Sequence, residues 1–152
     1  MISLCETFKW TRIGVIYVND PYGSAYASAV IKEATDRGIA AVASAFEFRN
    51  PSSQQSAISH LRAQRVKIIL CIIFEDDLLD VIGMGITAGL LGNPEHHWIF
   101  TDSVVASAFT TFKYSNVSAA LAGSSRILAR GTALDWPQWS SLRPCPEPPG
   151  AM

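Results

Sequence analysis

Three short stretches carry the side chains best suited to holding a small ligand: Asn19 with Tyr22, Phe74 with Glu75, and Asp102 with Ser103. Each stretch follows an apolar run that reads as a β-strand. A tyrosine offers a ring face to a cation and a hydroxyl that can donate or accept, Glu75 and Asp102 can pair an ammonium, and a helix N-terminus beginning near Ser24 can receive a carboxylate. The plainer alternative is that all are ordinary loop and capping residues. Their position gives them weight, because ligands of open parallel sheets sit in the crevice beyond the carboxyl ends of the strands.

Other chemistries fit less well. Gly83, Gly85 and Gly89 imitate a dinucleotide fingerprint, and Asp102 stands where a ribose-binding acid would be. That fingerprint needs its first glycine in the turn directly after a strand. Here the strand ends at Phe74 and Gly83 already lies in a helix, so close helix-to-sheet packing is the better reading. Neither a GxxxxGK[ST] loop nor a GxSxG elbow is present. Glu75, Asp76, Asp77 and Asp80 offer carboxylates, but consecutive helical residues point in different directions, which suits helix capping better than a metal site. His96 and His97 lack a second ligand pair at metal spacing and are expected to face solvent, and His60 is expected on a helix surface. Cys5, Cys71 and Cys145 are widely separated and read as free thiols. No catalytic residues, metal or cofactor are expected, and the chain reads as a non-enzyme.

The elements that must position the rim residues follow from the hydrophobic pattern. Ile13, Val15, Ile16, Tyr17 and Val18 show no polar alternation, which suits a parallel strand covered on both faces. Ala27, Val30, Ile31 and Ala34 then recur at helical spacing, with Ser24 as the expected N-cap and Gly38 as the stop. A second strand is expected over Ile39 to Phe48. Ser52 and Gln55 have the form of a capping box for a second helix that turns Ala57, Ile58 and Leu61 inward and ends near Arg65. Val66 to Phe74 is β-branched and continuous, and is expected at the centre of the sheet. Glu75, Asp76 and Asp77 open a third helix striped by Leu78, Leu79, Ile82, Ile86 and Leu90, closed by Gly92, Asn93 and Pro94. Trp98 to Thr101 predicts a fourth strand, and Ala119 to Ile127 one further strand or edge segment. The fold class is α/β, a three-layer, mostly parallel sheet flanked by helices.

Composition bounds the rest. The 152 residues are 49% hydrophobic with a formal net charge of -1, enough for one sizeable core. Twelve basic residues nearly balance thirteen acidic ones, which argues against nucleic acid as a partner. The apolar runs fall short of the ~20 residues a membrane helix needs, and the opening MISLCETFKW has no secretory pattern. Residues 1–9 read as the end of a preceding helix, 10–132 as one lobe, and 133–152 as a proline-rich tail without regular structure. Asn116 begins an N-glycosylation sequon with Val117 and Ser118.

Taken in order, FKWTRIGVIYVNDPYG, RGIAAVASAFEF, SAISHLRAQRVKIILCIIF and WIFTD resemble the type I periplasmic-binding-protein superfamily. In particular they resemble the receptor-family ligand-binding region of class C G-protein-coupled receptors, natriuretic-peptide receptors and ionotropic glutamate receptors. The resemblance covers about residues 8–103, and AALAGSSRIL, Ala119 to Leu128, continues it more faintly. It implies the second lobe of a clamshell module, on the extracellular side of a membrane receptor, that closes on a small ligand such as an amino acid. Position by position, Tyr22, the pair Phe74 and Glu75, and Asp102 match places where family members line the cleft. The implied partners are the small ligand, a first lobe of the same module and a second receptor copy. A soluble solute-binding protein built on the same lobe, and a doubly wound nucleotide-binding enzyme domain, are the competing readings. The proline-rich ending departs from the family pattern.

Overall fold

The computed structural model describes residues 2–101 and the backbone of residues 125–126. In chain order the elements are α1 (Ile2–Thr7), β1 (Arg12–Val18), α2 (Pro21–Asp36), β2 (Ala40–Phe46), α3 (Pro51–Ala63), β3 (Ile68–Ile72), α4 (Glu75–Thr87), β4 (His97–Phe100) and β5 (Ser125–Arg126). The five strands form one sheet in the order β2-β1-β3-β4-β5, and every pairing is parallel. The expected central strand is central, with all five residues of β3 buried. The short β5 falls within the segment expected to supply a further strand. Asp102, Ser103, Asn116 and the proline-rich tail lie outside the described residues.

Helices cover both faces of the sheet. Ile2, Cys5, Ala27, Val30 and Ala34 of α1 and α2 pack with Ile13, Val15, Leu70, Ile72 and Ile99 on one face. Ala57, Ile58 and Leu61 of α3 and Leu78, Val81 and Ile82 of α4 pack with Ile16, Val18, Phe46, Ile69, Cys71, Trp98 and Phe100 on the other. Side chains on successive strand residues alternate between these two cores, so a run that is apolar throughout fits both. Each fully buried aliphatic side chain here contributes on the order of 1.5–3 kcal/mol. Burial also pushes the Cys71 thiol well above its ordinary range, so this cysteine serves as packing and not as a thiolate.

The helix boundaries correct several sequence expectations for one repeated reason. Both α2 and α3 begin with proline at their first position, and the preceding Asp20 and Asn50 are the N-caps. Asp20 Oδ1 accepts from Gly23 N at 2.6 Å, and Asn50 Oδ1 accepts from Ser53 N at 3.2 Å. Ser24, Ser52 and Gln55 are therefore inside their helices, because a fixed proline φ suits the first turn and an acidic or amide side chain before it satisfies the free amides. At the other end, α4 stops at Thr87, with Gly89 at φ +72, and not at Gly92 to Pro94. Leu79 is 49% exposed, and Val81 takes the inward place expected of it. The second strand stops at Phe46, leaving Phe48 exposed beyond it.

Gly85 explains the glycine-rich stretch. A Cβ there would lie 3.2 Å from Trp98 Cζ2, so the missing side chain lets α4 approach the sheet. Trp98 is fully buried, and its Nε1 donates to Leu90 O at 2.7 Å.

Candidate functional site

The strand order creates a switch point between β1 and β3. From β1 the chain crosses over one face to β2, then reverses, and its next crossovers run the other way over the opposite face to β3 and β4. At such a point the loops leaving two adjacent strands diverge, and a crevice opens between them. Tyr22 follows β1 and Phe74 follows β3, one on each side of it.

The β1 corner is built by its own residues. Asp20 caps α2, Pro21 starts it, and Gly23 sits so close to the strand end that a Cβ would lie 2.1 Å from Val18 O. Only glycine fits there without displacing the backbone. This tight corner sends Tyr22 outward, 40% exposed, with its ring 5.5 Å from Phe74 and 6.0 Å from Tyr26 between centroids. Phe74 is the half-buried N-cap residue of α4, and its side chain makes no capping hydrogen bond. Glu75 opens α4 beside it and is exposed.

Asn19 lies on the other side of the corner. Its Nδ2 donates to Glu47 Oε1 at 2.8 Å, and its backbone N donates to Phe46 O at 2.7 Å. The structure therefore brings Tyr22 and Phe74 into contact and ties Asn19 to the end of β2 instead. Asp102 and Ser103, which would extend the rim past β4, lie outside the described residues. The α2 N-terminus differs from expectation, because Asp20 already supplies a carboxylate oxygen to its first turn.

The acidic run splits in the way helical geometry requires. Asp76 pairs outward with Arg49, Nη2 to Oδ1 at 2.8 Å, while Asp77 is fully buried. Asp77 Oδ1 accepts from Arg49 N at 2.9 Å and Gln54 Nε2 at 2.7 Å, which locks the loop after β2 to the first turn of α4. Burial, with Asp76 and Asp80 nearby, raises the Asp77 pKa above the ordinary carboxylate value, against the lowering effect of its two hydrogen bonds. His96 and His97 are half-buried and so only partly solvent-facing, the latter beside Trp10 at 5.6 Å between ring centroids. His60 is exposed as expected, with Nδ1 3.3 Å from Ser44 Oγ.

Two features of the rim were missed in the sequence. Glu47 belongs to it, and extending β2 to Phe48 hid that. The Tyr22 and Phe74 contact depends on strand order, for which a run of apolar residues has no signal.

The strand order with its switch point agrees with what most of the chain matches. The family model described as the receptor family ligand binding region matches residues 1–125. The chain belongs to that family. Its fold is that of one lobe of a type I periplasmic-binding-like receptor region. Among solved structures it is similar to an extracellular ligand-binding receptor from Verminephrobacter eiseniae ef01-2, with a TM-score of 0.66 and 15% identity. That alignment covers 81% of this chain and 33% of the other, so this receptor-region chain spans about a third of the length of that structure. At such low identity the likeness establishes the fold. A search of curated proteins gave no match.

Proposed function

We propose that this chain supplies one wall of a small-molecule binding cleft in an extracellular receptor, and that the cleft closes by clamshell motion onto an amino acid or a related ligand. The observation that carries this reading is the Tyr22 and Phe74 aromatic pair at the β1/β3 switch point. Tyr22 has an exposed ring and hydroxyl to offer, Glu75 a carboxylate beside them, and Asp102 and Ser103 follow the next strand in sequence. An aromatic face with flanking carboxylates suits the ammonium end of a zwitterion. The opposite wall would come from a first lobe of the same module, since clefts of this kind enclose most of a small ligand's surface. In this role the chain binds and does not catalyse, and a second receptor copy would be its partner in signalling.

Isothermal titration of an amino-acid panel into this chain joined to a first lobe tests the proposal. Saturable heat for at least one amino acid is expected, weakened roughly tenfold or more by Tyr22→Ala, a loss of about 1.4 kcal/mol. Unchanged binding in both Tyr22→Ala and Phe74→Ala would remove the rim from the site.

A further inference from the structure

The opposite end of the sheet carries a second cavity. It measures about 860 Å³ and is lined by residues that begin strands or precede them, from Lys9 to Arg12, Arg65 to Ile68 and Gly92 to His97. This is the amino-terminal edge, a full strand length away from Tyr22 and Phe74. Its size suits a small organic molecule.

Among the described lining residues the charges are one-sided: Lys9, Arg12, Arg65 and Lys67 against the single carboxylate of Glu95. Glu95 reaches only Lys67, at 3.8 Å between two exposed side chains, and Arg12 spends one Nη2 contact on the neutral Gln64 Oε1 at 3.0 Å. Helix dipoles account for part of this. Lys9 and Arg65 follow the carbonyl ends of α1 and α3, where a cation is favoured. Arg12 and Lys67 have no such role, because they start or precede strands. Lys9 and Arg65 also stand at φ 55 and 53, in the left-handed position just past a helix where α2 and α4 have Gly38 and Gly89. A side chain there costs roughly 1–2 kcal/mol. At both places a glycine would be easier to fold, and a cation facing the same cavity stands instead. Trp10 and His97 add an aromatic wall, with Phe8 stacked on Trp10 at 5.1 Å.

We propose that this cavity binds a multiply charged organic phosphate bearing a planar ring, the phosphates against Arg12, Arg65, Lys67 and Lys9 and the ring against the Trp10 and His97 wall. Guanidinium forks with ammonium groups suit tetrahedral dianions, and four cations facing one carboxylate call for more than a single negative charge. The site is separate from the cleft at the strand ends and does not depend on its assignment.

The test titrates ADP, inorganic pyrophosphate and adenosine into the chain calorimetrically at low ionic strength, followed by ADP at added salt. ADP is expected to bind tightest, pyrophosphate more weakly and adenosine weakest, with ADP affinity falling as salt rises. Lys9→Gly with Arg65→Gly removes two cations at positions where glycine relieves the backbone, so the double variant should melt no lower than the parent while ADP affinity drops at least tenfold. Arg12→Gln with Lys67→Gln should give a similar loss. No heat with ADP, equal binding of adenosine, or ADP affinity unmoved in both double variants would overturn the proposal.

Discussion

Asp77 and Gln54 share one hydrogen bond and one deficit. Gln54 Nε2 donates to Asp77 Oδ1 at 2.7 Å, while the second carboxylate oxygen, Asp77 Oδ2, and the amide oxygen, Gln54 Oε1, are buried with no protein partner. Two lone acceptors on the same pair of groups can be reconciled by one proton on Oδ2, which turns a carboxylate into a donor.

Stability should therefore fall as pH rises through the titration of Asp77. Its native pKa is raised by burial above the unfolded value, so the native state holds the proton more tightly. The contribution is complete below the ordinary carboxylate value, about 3.9, and is lost as pH rises through the raised native value. Urea denaturation across that window should show the decline, and Asp77→Asn should flatten it. The asparagine can accept from Arg49 N and donate to Gln54, and should stay within about 1 kcal/mol of the parent at low pH. Asp77→Ala leaves Arg49 N and Gln54 without their acceptor and should cost about 1–3 kcal/mol.

Gly23→Ala should be costly for its size. The added methyl would meet a backbone oxygen, Val18 O, which cannot rotate away. Overpacking of this kind costs about 1–3 kcal/mol, and the urea midpoint reads it directly. The same substitution should displace Tyr22 and change its near-ultraviolet dichroism.

Tyr22→Ala and Phe74→Ala, alone and together, form a double-mutant cycle for the rim. Aromatic pairs couple by about 0.5–1.5 kcal/mol, and the exposure of Tyr22 places this pair near the lower end. A coupling indistinguishable from zero would mean that the two rings touch without holding the rim together.

Gly85→Ala and Gly83→Ala should move the melting temperature in opposite directions. At position 85 the methyl meets the Trp98 ring, which is pinned through Nε1 to Leu90 O, and a loss of about 1–3 kcal/mol is expected. At position 83 an added Cβ would meet nothing within 4 Å beyond its own stretch of helix, so alanine should add up to about 1 kcal/mol of helix propensity. Equal effects would contradict the packing explanation of this glycine-rich stretch.

What the sequence made legible follows from which forces act locally. Strand identity in Val66 to Phe74 comes from a continuous β-branched run and the inward faces of α2 and α3 from helical periodicity, and the structure agrees, with β3 at Ile68–Ile72. The caps at Asp20 and Asn50 were also local, since each precedes a proline, but serine was given precedence over that signal. Strand order was not local. Nothing in the apolar run of β1 says that β3 is its other neighbour, and the meeting of Tyr22 with Phe74 depends on it. The inward turn of Asp77 was equally hidden, because it depends on Gln54 and on the Arg49 backbone, both more than twenty residues away.

The position of β2 bears on how the protein behaves in concentrated solution. It is the outermost strand beside β1, no described strand pairs with its far side, and its sequence AAVASAF carries no charge. Open backbone groups along such a margin are a template for a strand from another molecule, and neither a lysine nor a proline stands there to refuse it. Handling of the isolated chain thus depends on seven uncharged residues at the border of the described sheet as well as on its cores, and a lysine at the exposed Ala43 would be the gatekeeper that this strand lacks.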